Sequence, residues 1–244
     1  MVLEYQLIRS ERRKTIALQV RNGEVIVRAP TRVDLAYIEQ LLQLKSPWLA
    51  QKLAQQKQRS LQSVDFSQAF LTQTPGNAPT VYIDGIAHKV KVAFGPATVM
   101  HNKSQQDLTV VLNPRYQQLP LQSELILTKV KAQIEAWFKS SIESYVAQKL
   151  ACFSASIPYQ PAAFKVRKYK ARWGSCNSRR ELSFNFLLKQ LPPWVVDYVI
   201  IHELCHLKHM NHSAKFWQLV ASYCPTFQDA KHWIKQHQAY LSWH

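Results

Sequence analysis

Two histidines four residues apart, His202 and His206, with Glu203 directly after the first, are the residues of this chain whose types and spacing could do chemistry. On an α-helix, positions i and i+4 lie one above the other on a single face, so the two imidazoles can converge on one point. Neutral imidazole nitrogens hold Zn²⁺ at about 2.0–2.1 Å and leave room for a third protein ligand and a water. Zinc brings the pKa of such a water to roughly 7, and the Glu203 carboxylate, at the edge of the same face, is placed to act as its general base. The chemistry in view is hydrolysis by a metal-activated water.

The pattern is H-E-x-x-H, the arrangement of zinc peptidases. Pro192-Pro193 opens a segment in which Trp194, Val195, Val196, Val199, Ile200, Ile201, Leu204, Leu207 and Met210 surround the motif on nearly every face. This predicts a buried helix over 193–210. Imidazoles and a carboxylate buried without partners carry a cost on the order of several kcal/mol, and a metal supplies the partner. The third ligand is argued by elimination, because no glutamate follows Glu203 and only Asp229 and five histidines lie beyond His206. His209 is about 10 Å along the axis from His202 at 1.5 Å per residue, too far to converge easily. A turn near Asn211 brings His212 back instead, which gives the ligand spacing of the metzincins with His209 standing where their glycine would be.

Composition bounds the rest. A chain of 244 residues, 47% hydrophobic, has ample material for a core. No run approaches the ~18 apolar residues of a membrane span, and Met1-Val2-Leu3-Glu4 lacks the charged-then-apolar order of a signal peptide. Cytoplasm is the default expectation. Cys152, Cys176, Cys205 and Cys224 form no C-x-x-C pair and suit free thiols, with Cys205 facing away from the His202–His206 stripe. A formal charge of +16 and a pI near 9.8 predict attraction to polyanions such as nucleotides, nucleic acid or acidic membrane surfaces. With 5 glycines, a phosphate-binding glycine loop is not easily built.

The elements that must position the motif are read from periodicity and turn chemistry. Residues 4–28 read as a β-hairpin on Asn22-Gly23, a type I′ pair. A helical pattern from Asp34 to Leu61 is broken at Ser46-Pro47, residues 55–79 read as a loop, and 80–112 as an antiparallel meander carrying His88 and His101 without metal. A long amphipathic helix follows Pro120 to about Leu150 and forms a floor beneath the metal helix. Short strands are expected at 164–167 and 181–186. Between them the basic and aromatic stretch Tyr169 to Asn177 is the best local candidate for an anionic ligand. Ser213 can cap a helix over 214–223, and a last helix starts near Gln228, leaving His232, His237 and His244 to the surface or to packing.

Arg172-Trp173-Gly174-Ser175-Cys176, the Asn185 segment, Pro192 to Tyr198, the His202–His206 motif, Asn211-His212-Ser213 and Phe216-Trp217 together resemble the YgjP-like metallopeptidase family. Arg9-Ser10, Arg12-Arg13-Lys14-Thr15, Pro30 and Trp48 extend the resemblance over nearly the whole chain. The family is grouped with the zincins and is similar in its core to SprT-like proteases. The resemblance implies an α+β protein, with an antiparallel β-rich lobe containing a helical insertion over 1–118 and a zincin-like metallopeptidase core over 119–244. It implies one zinc ion held by His202, His206 and His212, Glu203 as general base, and the 181–186 strand along the substrate cleft. Arg172, Trp173 and Asn185 are the candidates for substrate contact.

Three functions are then in play. The first is a zinc metallopeptidase acting on peptides or unfolded proteins. Some relatives carry a description as UTP pyrophosphatases, so the second is a metal-dependent nucleoside-triphosphate pyrophosphatase using the basic loop around Arg172. The third is a basic protein that binds nucleic acid and carries a structural metal. None of them requires a membrane.

Overall fold

The computed structural model describes residues 4–21, 23–62, 65–73, 78–169, 172–237, 241 and 243. Two compact units divide the chain at 64/65. In the first, β1 (Tyr5–Ser10), β2 (Ala17–Arg21) and β3 (Glu24–Pro30) form a sheet in the order β1-β3-β2. The expected hairpin is present as β2 against β3, with Gly23 at φ +79°, and Asn22 lies outside the described residues. β1, not among the strands expected from the sequence, runs parallel to β3. Helices α1 (Leu35–Leu44) and α2 (Ser46–Gln62) break where the proline at the start of the second predicts. Val25, Val27, Ala29, Ile38, Leu42 and Leu49 make this unit's core.

The second unit holds everything that positions the histidines. The expected loop over 55–79 contains the end of α2 and a further short helix, α3 (Phe66–Leu71), whose N-cap Asp65 accepts from Ser67 N at 3.1 Å. Strands β4 (Thr80–Ile83), β5 (Ile86–Phe94), β6 (Thr98–Asn102) and β7 (Asp107–Leu112) form a sheet in the order β4-β5-β7-β6. This is not the antiparallel meander expected, because β5 and β7 run parallel. Alternation of apolar residues gives strand existence and facing but not the partner. The apolar face of the sheet, through Val81, Ile83, Val90, Leu108, Val110 and Leu112, shares one core with Ile126, Val130, Ile134, Phe138, Ile142 and Val146 of α4 (Glu124–Phe153). The boundary expected near residue 118 therefore falls inside this unit.

Beyond α4, β8 (Ala163–Arg167), β9 (Gly174–Cys176) and β10 (Glu181–Asn185) form a sheet in the order β8-β10-β9. A 3-10 helix, Phe186–Gln190, then leads into α5 (Pro193–His206), followed by α6 (Ala214–Tyr223) and α7 (Phe227–His237). Ser213 occupies the N-cap of α6 but makes no side-chain capping bond. Helix α5 ends four residues short of the expected Met210. Leu207 N and Lys208 N bond back three residues, to Leu204 O and Cys205 O, which tightens the last turn and stops the helix. Met210 is consequently 57% exposed and Trp194, in the first turn, 44%, so the helix is buried along its middle rather than on every face.

Two ties fix α5 in place. The β4–β5 turn, with positive φ at Asp84 and Gly85, docks on the segment before the helix: Asp84 N donates to Lys189 O and Gly85 N to Gln190 O. A Cβ on Gly85 would lie 2.6 Å from Pro192 Cγ, so only glycine permits this approach. From α4, Tyr145 Oη and Lys149 Nζ each donate to the Asp197 carboxylate at 2.7 Å. Asp197→Ala strands both donors and should cost about 1–2 kcal/mol of stability, measured by urea unfolding. An unchanged midpoint would show that this tie holds nothing.

Candidate metal centre

His202 and His206 stand one turn apart on α5, and the tight link 207–213 returns the chain so that His212 meets them. One ligand atom from each of the three lies within 4.8 Å of the others, and no other such cluster of three or more occurs among the described residues. His212 Nε2 is 3.2 Å from His202 Nε2. His206 Nδ1 donates to His209 O at 2.9 Å, which fixes its tautomer and leaves Nε2 with a free lone pair. His209 thus contributes its backbone to orient a neighbouring imidazole, and its side chain is not in the cluster. His212 lies between aromatic residues of α6, stacked on Trp217 at 5.6 Å and edge-on to Phe216 at 4.9 Å. Asn211 Oδ1 accepts from Ser213 N at 3.3 Å, closing the turn on which His212 sits.

Burial, with His206, His212 and Lys231 adding to it, holds His202 down to about 3, so it is neutral at any physiological pH. Burial also lowers His206, against the opposing pull of the His209 carbonyl. Neutral imidazoles are the form that ligates metal. The donor set of three nitrogens, with a carboxylate beside it, fits a zinc site with an open position.

Glu203 is 5% exposed, and its Oε2 is buried without a hydrogen-bond partner. Burial pushes its carboxyl up to about 8, while the Arg172 guanidinium pulls it down. It is pressed against β9: a Cβ on Gly174 would lie 2.6 Å from Glu203 Oε1 and 2.7 Å from its Cγ. Glycine is therefore required at 174 for the carboxylate to occupy its place. The sequence did not reveal this, since Gly174 stands in the basic stretch between the expected strands, and only as the first residue of β9 does its lack of a side chain mark a close approach. A cavity of about 380 Å³ opens beside Glu203 and His202, lined also by Trp173, Gly174, Tyr198 and Val199 and by Lys231, Ile234 and Lys235 of α7.

The remaining candidates separate. Trp173 lines the cavity. Arg172 is exposed, stacks on Tyr169 at 5.6 Å and lies close enough to act on Glu203. Asn185 is 4% exposed and committed to the backbone: Nδ2 donates to Tyr169 O and Arg172 O, and Oδ1 accepts from Leu187 N. It holds the loop that carries Arg172 and Trp173, and its side chain does not reach the cavity. Strand β10 likewise has both edges occupied, by β8 and β9, so the strand facing the cleft is β9 and not the expected 181–186 segment. Cys205 is fully buried and is not in the cluster, and His88 and His101 form their own contact, Nε2 to Nε2 at 3.0 Å.

A family model described as YgjP-like, metallopeptidase domain, matches residues 14–237. No protein of curated function and no solved structure matches the chain. Metal content measured by mass spectrometry on purified variants tests the centre: His212→Ala should lose most of the bound metal, whereas His209→Ala, which keeps its carbonyl, should hold nearly one ion per chain. Equal loss in both would contradict the ligand set.

Proposed function

The chain belongs to the YgjP-like metallopeptidase family, and from that premise we propose that it is a zinc-dependent peptidase in which Glu203 is the general base. The observation that carries this reading is the buried, unpartnered Glu203 carboxylate set beside three convergent imidazoles at the wall of an open cavity. His202, His206 and His212 would hold the zinc, which when bound supplies a Lewis acid that polarises the scissile carbonyl and lowers the pKa of the attacking water. Glu203 takes the proton of that water on a carboxylate oxygen and passes it to the leaving amine nitrogen. Gly174 sets the position of the carboxylate, and Arg172 favours its ionised form.

The substrate backbone has a place to lie. Trp173 O accepts from Asn185 N, and Asn177 N donates to Glu181 O, so alternation along the antiparallel pair turns the amides and carbonyls of Gly174 and Cys176 away from β10. Among the described residues β9 pairs with β10 alone. An extended peptide can add to this edge beside Glu203.

A second reading has its own support. Lys231 and Lys235 line the same cavity and the Arg172 guanidinium is near enough to act on Glu203 in its wall, positive charge that suits the phosphates of a nucleoside triphosphate.

With an unfolded protein as substrate, Glu203→Gln should retain its metal and lose about 10²–10⁴-fold in rate. Gly174→Ala, which displaces the same carboxylate, should retain metal and lose about 10²-fold. Full activity in either would remove Glu203 from the mechanism. Arg172→Ala separates the two readings: UTP hydrolysis, if it is the activity, should fall about 10²-fold, and peptide cleavage far less.

A further inference from the structure

Helix α7 lays one face along the cavity that contains Glu203 and His202. Lys231, Ile234 and Lys235, at i, i+3 and i+4, all line it. Trp173, Tyr198 and Val199 add largely apolar surface to the same lining. The only acidic residue of the lining is Glu203, buried against Gly174 and occupied with proton transfer in the proposed reaction. Lys231 Nζ sits 4.1 Å from the Trp217 ring centroid and 5.9 Å from that of Phe227, so aromatic faces locate its charge without neutralising it. Among the described residues no carboxylate lies within ion-pair distance of Lys231 or Lys235. Two like charges one helical turn apart repel, and an anion between them relieves that repulsion. The Trp217 ring beneath Lys231 also stacks on His212, so the position of this charge is built on the same aromatic as a candidate ligand.

We propose that Lys231 and Lys235 form a subsite for a carboxylate of the peptide substrate next to the scissile bond, with Ile234 packing against the chain that bears it. The carboxylate is that of an Asp or Glu side chain or that of a free C-terminus. The inference rests on the peptidase reading and adds a substrate class to it: peptides acidic, or ending, on the α7 side of the cleaved bond. A largely apolar lining with two unneutralised ammonium groups gives the cavity this preference, because only an anionic group exchanges its water for charge on arrival.

The test uses the full-length, metal-loaded chain and quenched fluorescent peptides in matched sets: Asp or Glu against Asn or Gln at each position near the cleaved bond with an amidated C-terminus, and a neutral peptide with free against amidated C-terminus. A preference of about five- to tenfold in kcat/KM for the anionic member of one set is expected, the set identifying the source of the carboxylate. Lys231→Ala/Lys235→Ala should abolish that preference, and Lys235→Glu should turn it toward a lysine-bearing peptide, with metal content and melting temperature unchanged as the control for folding. A readout without turnover is the anisotropy of the labelled anionic peptide on Glu203→Gln, which should bind more weakly when both lysines are replaced. Peptides cleaved with no preference for the anionic member, or a preference that survives the double substitution, overturn the subsite alone. No cleavage of any peptide, with UTP hydrolysed instead, overturns the peptidase reading and the subsite with it.

Discussion

Glu203 lies beside three convergent imidazoles while almost all of its hydration is taken away, and most of the second unit can be understood as the means of holding it there. A carboxylate with one oxygen buried and unpartnered is expensive. Rigid neighbours have to over-determine its position. On one side the backbone of β9 comes so near that residue 174 has no room for a Cβ. On the other, α5 is clamped by a core that runs from the 80–112 sheet through α4 to α6. The ends of the helix are held as well, by the β4–β5 turn against Pro192 and by the α4 donors on Asp197.

The ligand side is organised differently. His202 and His206 take their relative position from helix geometry alone, but His212 depends on where the helix stops. Had α5 run on to Met210, the chain would have carried His212 past the pair. The i to i−3 bonds at Leu207 and Lys208 end it at His206, and the Asn211 turn with the Trp217 stack supply the return. Early termination also frees the His209 carbonyl to reach His206 Nδ1. One local event, a tightened final turn, therefore sets the third imidazole and the tautomer of the second.

The parts of this arrangement that depend on local spacing were legible in the sequence. The i, i+4 histidines, the proline at the start of α5, the α2 break at Ser46-Pro47 and the start of α6 after Ser213 are short-range facts, and the structure has them. What escaped depends on which strand lies beside which. Alternation in 80–112 gave strands but not the parallel pairing of β5 with β7. The 181–186 strand was legible, but β9, three residues long, was hidden in a loop-like basic stretch, and it is β9 that takes the edge beside Glu203. Asn185 shows the same limit, since its type suggests a ligand contact and its surroundings spend it on the backbone of the loop. Lys231 and Lys235 carried no signal, because an exposed basic helix face looks the same wherever it is placed.

That placement bears on how a basic chain can run this site. For the imidazoles, burial and nearby positive charge act together, both disfavouring the protonated ring, so His202 is ready to ligate whatever its neighbours do. For the carboxylate they act in opposition. Burial is the larger effect and favours the protonated acid, and Arg172 works against it. Any cation held by the histidines would pull in the same direction as Arg172, since a metal is the largest local charge in such a site. The Glu203 carboxyl therefore depends on its cationic surroundings in a way the imidazoles do not. With Arg172 in place the Glu203 carboxyl still stands at about 8, so a nearly dry carboxylate ionised at neutral pH calls for a further positive charge, of the kind a cation held by the three histidines would supply.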